Sequence, residues 1–331
     1  MLKAAVIGLG SMGRNHARVY NELLDVHLVA VSDMVGSISQ ETGVVFGVPS
    51  YTDYRAMLDD VRPDVVSIAV PTSQHEAVGL AALEAGAHVL IEKPIASTIE
   101  EGKNLVQRSQ ELDRWLMVGH IVRFNPAVQK LKEQLLQGEL GRIFQVICRR
   151  VGPFPARIRD VGVVIDLATH DLDLIRFLTG LDPIRVYAET EHRISTDFED
   201  LVLGLLRFPG GISAGIEINW LTPMKVREIL VLGERGLFKV DDLAQDLFFY
   251  ERASQTGNYW PALQTLKGGS EGGMTRFALQ RYEPLKAEIQ AFLHAIQSGQ
   301  PMPVSGEDGI AALRLALAMV ESGRTQQVIQ V

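Results

Sequence analysis

Residues 3–13 read KAAVIGLGSMG, an apolar run that passes straight into glycines at Gly8, Gly10 and Gly13. Few folds accept that order. Gly8 permits a tight turn off a strand, Gly10 lets backbone approach a pyrophosphate, and Gly13 lets the next helix lie close on the sheet. Ser11 and Met12 stand at the mouth of that helix, where free N–H groups and a partial positive charge receive an anion. Glycines alone are weak evidence, because ordinary turns use them too. Asp33 sharpens the reading. It closes the second apolar run, "VHLVAVSD", twenty positions beyond Gly13, where a carboxylate accepts hydrogen bonds from the adenosine ribose hydroxyls. The same carboxylate repels a 2′-phosphate, and the following "MVGS" brings no Arg or Lys to hold one. NAD is therefore expected as cofactor, rather than NADP.

Through about residue 120 the chain alternates strand and helix signals, the pattern of a parallel sheet built from βαβ units. Strands are expected at "KAAVIGL", "VHLVAVSD", "PDVVSIAVP", "HVLIEKP" and "WLMVGHI". Helices are expected over 12–24, in a short stretch ending near Gly43, from "YTDYRAML", and over "SQHEAVGLAALEAG" and "TIEEGKNLVQRSQELD". Then the texture changes. Helices over 126–136 and 164–178 and the strand "GRIFQVICRRVG" lead into successive strand candidates, from "PIRVYAETEHRI" to "DLFFYER", joined by short turns such as "PGG" at 209–211. Such a succession makes an antiparallel or mixed sheet. The expectation is an α/β Rossmann domain over 1–120 and an α+β domain over 121–331 with an open, mostly antiparallel or mixed sheet. A loop of about 30 residues, long enough to be functional, precedes helices over 284–298 and 307–322.

Length agrees with two domains, since 331 residues exceed one ordinary core. A formal net charge of −8 argues against a nucleic-acid partner, which requires many Lys and Arg against its phosphates. The single cysteine, Cys148, allows no internal disulfide and no thiolate cluster for zinc. No apolar run reaches the roughly 18–20 residues of a membrane span. The first residues enter a strand at once instead of forming a signal peptide. A soluble cytoplasmic protein with no membrane partner is expected.

Two further segments carry chemistry. "HVLIEKP" ends a strand with Glu92, Lys93 and Pro94 at the carboxyl edge of the sheet, where doubly wound folds bind ligands. A lysine there can hold, or help deprotonate, a substrate hydroxyl; a lysine merely capping a strand would look the same. Pro94 is a candidate for a cis bond. In "IDLATHDLDLIRFL", Asp166, His170 and Asp173 fall at i, i+4 and i+7, one polar stripe on a helix whose Ala168, Leu172, Ile175 and Leu178 form an apolar one. Two carboxylates flanking a histidine suit a general base, although a histidine packed in a core has the same signature. Asp-x-x-x-His also fits a metal, but no third ligand is evident and no metal is expected.

Together, "GLGSMG", "VPTSQHEAV", "EKPI", "GHIVRFNPAV" and "IDLATHDLDLIRFL" resemble, in this order and over essentially the whole chain, the glucose–fructose oxidoreductase/inositol dehydrogenase family (Gfo/Idh/MocA). The resemblance implies a dehydrogenase with a Rossmann domain and an α+β domain whose open sheet mediates dimers or tetramers. It also implies that Lys93, Asp166 and His170 surround the hydroxyl being oxidised, and that Pro71, Thr72, Ser73, His75 and Glu92 lie near the cofactor. Ser73 or Thr72 also reads as a helix N-cap. Ala168-Thr169 depart from the Gly-Val or Gly-x of many members, with the triad spacing intact.

The substrate clue is "CRRVGPFPARIRD", in which Arg149, Arg150, Arg157 and Arg159 crowd a short segment just before the helix of His170. Arg123 and Asn125 in "RFNP" precede it. Arginine forks match phosphate oxygens, so an anionic sugar, a UDP-sugar, is expected as substrate, with Asp173 also assigned to its binding; arginines serving an interface would read alike. "RRVGPFPARIRDVGVVIDLATHD", "INWLTPMKVREILVLGERG" and "YEPLKAEI" resemble the UDP-N-acetylglucosamine 3-dehydrogenase subgroup, which implies oxidation of the sugar C3 hydroxyl to a 3-keto group. The alternatives are an inositol or free-sugar dehydrogenase of the same family, and a non-catalytic NAD-binding sensor. The acid–base set speaks against the sensor.

Overall fold

The computed structural model describes residues 1–154, 161–194, 197–253 and 272–331. They form two compact units: Met1–Phe124 with Glu283–Arg314, and Asn125–Tyr282 with Leu315–Val331.

The first unit begins β1 (Leu2–Ile7), α1 (Ser11–Glu22), β2 (Val26–Ser32), α2 (Gly36–Phe46), β3 (Ser50–Tyr51) and α3 (Tyr54–Val61). It continues with β4 (Val65–Ile68), α4 (His75–Glu84), β5 (His88–Glu92), α5 (Ile99–Glu111) and β6 (Leu116–Gly119). The strands are parallel and ordered β3-β2-β1-β4-β5-β6, the doubly wound arrangement. Ala4–Ile7, Val65–Ile68 and Val89–Ile91 are buried throughout, because helices cover both faces of a parallel sheet. The chain switches direction across the sheet between β1 and β4, so the carboxyl ends of those strands are where such a fold takes a ligand. Thr98 and Glu101 close a capping box that starts α5. The helix expected to end near Gly43 runs on to Phe46 and stops at Gly47, whose φ is 67°.

The second unit contains α6 (Pro126–Leu136), β7 (Ile143–Pro153), α7 (Thr169–Thr179), β8 (Arg185–Glu191), β9 (Leu201–Arg207) and β10 (Ser213–Asn219). It adds β11 (Leu221–Gly233), β12 (Gly236–Asp241), β13 (Asp246–Glu251) and β14 (Met274–Arg276). α8 (Pro284–Ser298) belongs to the first unit; α9 (Gly306–Thr325) and β15 (Ile329–Gln330) complete the chain. The sheet has nine strands in the order β14-β13-β12-β11-β7-β10-β9-β8-β15. Within this sheet only β7 and β10 pair in parallel among the described strands, so the expected mixed, mostly antiparallel sheet is present.

Three local departures have physical reasons. Residues 283–314, read as part of the second domain, return to the first unit because α8 buries Leu285, Ile289, Phe292 and Leu293 there. An apolar helix face tells nothing of which partner it will meet. β14 emerges from the end of the long stretch read as loop, and β3 is a two-residue strand; neither is long enough to show an alternation. The helix expected over 164–178 is not uniform: Val164–Ala168 is a π-turn and only Thr169–Thr179 is α-helical. No helix of the described residues is long and apolar enough to cross a membrane.

Candidate active site

In the first unit the three glycines do three different things. Gly8 has φ +87°, and a Cβ there would lie 2.5 Å from the Ala69 carbonyl oxygen. A Cβ on Gly13 would lie 1.7 Å from the carbonyl oxygen of Gly8, so α1 approaches the turn as only glycine allows. Gly10 meets nothing within 4 Å, leaving open space beside the turn. Gly10 is also the N-cap of α1 and no side chain caps this end, so the N–H groups of the first turn, at Ser11 and Met12, are presented to a ligand. Asp33 sits against the same turn: Oδ2 accepts the Leu9 N–H at 2.7 Å and Oδ1 the Val35 N–H at 2.8 Å. Each oxygen keeps a lone pair for a ribose hydroxyl. The open space, the uncapped helix and the fixed carboxylate fit NAD.

The carboxyl edge of β5 supplies the next groups. The Lys93–Pro94 peptide is cis and Lys93 is half-buried. His75 is buried with Nδ1 2.9 Å from the Pro94 carbonyl and Nε2 3.0 Å from the Val70 carbonyl. Burial lowers its pKa, against the pull of those carbonyls, and the neutral ring donates one N–H to one of them at a time. It thus ties the loop after β4 to the one after β5. Thr72–Gln74 forms a 3₁₀ turn with Pro71 before it, and no side chain caps this turn or α4. The N-cap expected of Ser73 or Thr72 is absent, because the 3₁₀ turn leads directly into the helix; Pro71 and Ser73 are exposed.

Beneath this edge lies a polar chain that sequence alone did not reveal. Tyr20 Oη is 2.9 Å from Ser67 Oγ, which is 3.0 Å from His16 Nδ1; His16 Nε2 is 3.0 Å from Glu92 Oε1. Burial pushes the Glu92 carboxyl up, but the His16 hydrogen bond and charge outweigh it and hold it below the usual range. Glu288 on α8 is fully buried, and neither carboxyl oxygen has a hydrogen-bond partner among the described residues. Burial, with the nearby Glu92 charge, pushes it well above the ordinary carboxyl range.

In the second unit Asp166 lies inside the π-turn and His170 in the first turn of α7; both are partly exposed. Asp173, grouped with them by spacing, is instead buried. Asp171, next to His170, is buried too and takes Arg150 bidentately, Nε–Oδ2 2.6 Å and Nη2–Oδ1 3.1 Å, with Asp242 Oδ2 3.7 Å from Arg150 Nη1. Burial pushes the Arg150 pKa down, and Asp171 more than restores it.

The expected arginine cluster therefore needs correction. Arg149 and Arg150 are neighbours on β7, and successive strand residues point to opposite faces. Arg149 is exposed and paired with Glu217 at 3.0 Å, while Arg150 is neutralised by Asp171. Arg123, in the first unit, is buried against Asp308 at 3.2 Å and the Pro303 carbonyl. Asn125 caps α6 and donates to Asp242 Oδ1 at 2.7 Å. Arg157 and Arg159 lie outside the described residues. A cation that went unnoticed, Arg227, is level with Arg150 on β11, donates to the Val151 carbonyl at 2.7 Å, and is lowered to about 10 by burial and by Arg150, with Asp166 among the charges that oppose this. Its signal was available in the alternation of "KVREILVLG". Cys148 is buried, which pushes its thiol up, and behaves as a core residue. Among the described residues no group of three or more His, Cys, Asp and Glu could hold a metal.

A family model described as an oxidoreductase family with an NAD-binding Rossmann fold (GFO_IDH_MocA) matches residues 2–120, and one described as a GFO/IDH/MocA C-terminal domain matches 128–239. The chain is 31% identical to a UDP-N-acetylglucosamine 3-dehydrogenase from Acidithiobacillus ferrooxidans, over 96% of this chain and 95% of the relative. It is 26% identical to a myo-inositol 2-dehydrogenase from Thermotoga maritima, over 97% and 96%. A solved structure of the UDP-N-acetylglucosamine 3-dehydrogenase GnnA from Acidithiobacillus ferrooxidans superimposes with a TM-score of 0.87 at 30% identity, covering 98% of each chain.

Proposed function

Because the chain belongs to the GFO/IDH/MocA oxidoreductase family, with its NAD-binding Rossmann domain, we propose that it oxidises the C3 hydroxyl of a UDP-N-acetylhexosamine, best UDP-N-acetylglucosamine, to a 3-keto sugar in the cytoplasm. The observation that carries the substrate assignment is the full-length similarity to a UDP-N-acetylglucosamine 3-dehydrogenase. NAD, when bound, supplies the hydride acceptor. His170 accepts the hydroxyl proton, Lys93 stabilises the developing alkoxide, and Asp166 orients the base.

A second reading, oxidation of an inositol or a free sugar, is favoured by one observation. Of the arginines expected to meet a diphosphate, Arg123, Arg149 and Arg150 are each held by a carboxylate. NADH absorbance with NAD and either UDP-N-acetylglucosamine or myo-inositol separates the two. A higher kcat/KM with UDP-N-acetylglucosamine is expected; a higher value with inositol overturns the assignment. Lys93→Ala and His170→Ala should each lower turnover by about 10²–10⁴-fold, as lost acid–base groups do. NAD affinity should be unchanged in His170→Ala.

A further inference from the structure

The π-turn that carries Asp166 is held at its head by one residue. Glu199, just before β9, accepts the Val163 N–H through its backbone carbonyl at 2.8 Å and the Val164 N–H through Oε1 at 3.1 Å. It is buried. A Cβ on Gly162 would fall 2.1 Å from Glu199 Oε1, so a glycine stands where the carboxylate must enter. The following Asp200 fixes the segment: its N–H donates to the Glu191 carbonyl and its own carbonyl accepts the Trp220 N–H, each at 2.9 Å. Asp200 Oδ2 further accepts the N–H groups of Arg193 and Ile194 at 2.9 and 2.6 Å. At its tail the π-turn is closed by the Thr169 N–H on the Val164 carbonyl and by Thr169 Oγ1 on the Ile165 carbonyl at 3.0 Å.

A π-turn holds one residue more than the α-helix it interrupts and persists only where its surroundings reward it. Here the reward is the bond from the Val164 N–H, one of the free amides at the head of the helix, to the Glu199 side-chain oxygen, beside the Val163 N–H on the Glu199 backbone carbonyl. If the turn relaxed to α-helix, Asp166 would rotate by one residue, about 100° about the axis, relative to His170. The orientation of this pair is thus coupled to a side chain that touches neither of them by any bond described above.

We propose that Glu199 is a positioning residue for the reaction, anchoring the π-turn that aims Asp166 relative to His170. This rests on the reading of those two residues as the acid–base pair.

Amide hydrogen exchange and the imidazole NMR signals of His170 test the anchor without any substrate. In Glu199→Ala, exchange over 163–169 should quicken at least about tenfold and the His170 signals should move, while β1 and β4 keep their protection. Glu199→Gln retains the Oε1 acceptor and should keep both near wild type, which also guards against a misfolded alanine variant. Unchanged exchange and signals in Glu199→Ala overturn the proposal. Turnover is then read on whichever of UDP-N-acetylglucosamine and myo-inositol the enzyme oxidises. Glu199→Ala should lower kcat about ten- to a hundredfold with KM for NAD unaltered, as a displaced reacting group does, and Glu199→Gln should restore it to within about threefold. A loss of melting temperature with full kcat assigns Glu199 a structural role only and also overturns the proposal. Full turnover in His170→Ala sinks the acid–base reading instead, and the exchange result shows separately whether the anchor exists.

Discussion

Glu288 shows how little a single letter reveals. In "PLKAEIQAF" it reads as one more glutamate on a helix, yet it is 0% exposed and its carboxyl has no hydrogen-bond partner among the described residues. Burial raises its pKa well above the unfolded value near 4.5, so above that pH the folded chain binds a proton that the unfolded chain has lost. Stability should therefore fall as pH rises beyond about 4.5 on this account, and the loss continues up to the folded pKa. Glu288→Gln removes the titration at nearly constant shape. Its stability advantage in urea unfolding should grow between pH 5 and pH 8; an advantage that stays flat would mean that the proton is not held. The paired arginines teach the opposite lesson. Arg149 and Arg150 were legible as a strand, and the pleat alone separates them onto two faces. What residue types cannot disclose is their partner, since Asp171, Asp242 and Glu217 lie far along the chain.

Among elements, the strand–turn–helix at the start of the chain was readable because each glycine answers a local demand. The structure divides those demands. Gly13→Ala places a Cβ 1.7 Å from a backbone oxygen and should destabilise the fold by at least the ~1–3 kcal/mol of an overpacked core. Gly10→Ala has open space around it and should leave melting unchanged while weakening NAD binding about tenfold or more, measured by calorimetry. Equal effects of the two substitutions on melting would contradict this division. Long periodic elements were likewise legible: α6 spans 126–136 as read, and the apolar stripe Ala168, Leu172, Ile175, Leu178 is buried. The π-turn was not, because an extra residue in one turn leaves an apolar spacing that an ordinary helix also satisfies.

At the scale of the whole molecule, the nine-stranded sheet has one face packed by its own helices and another that is partly bare. Along β9, buried Val202, Gly204 and Leu206 alternate with Leu203 and Leu205, which are 51% and 62% exposed. Ile147 of β7 lies on the same side as Leu205, through Gly215 between them. Such a face is expected to meet a second copy, giving a dimer or tetramer. Light scattering should return a multiple of the chain mass, and Leu203→Asp with Leu205→Asp should reduce it to the monomer; a wild-type monomer at all concentrations would end the argument. The margins of this sheet bear on what kind of assembly is open to it. β14 has three residues and β15 two, too short to offer a neighbouring chain a usable row of amides and carbonyls. Lateral growth, which has no natural stopping point and leads to fibres, finds little to pair with at either end of the described sheet. Copies that met broadside, through a patch matching itself about a twofold axis, would make a particle of fixed size and then stop.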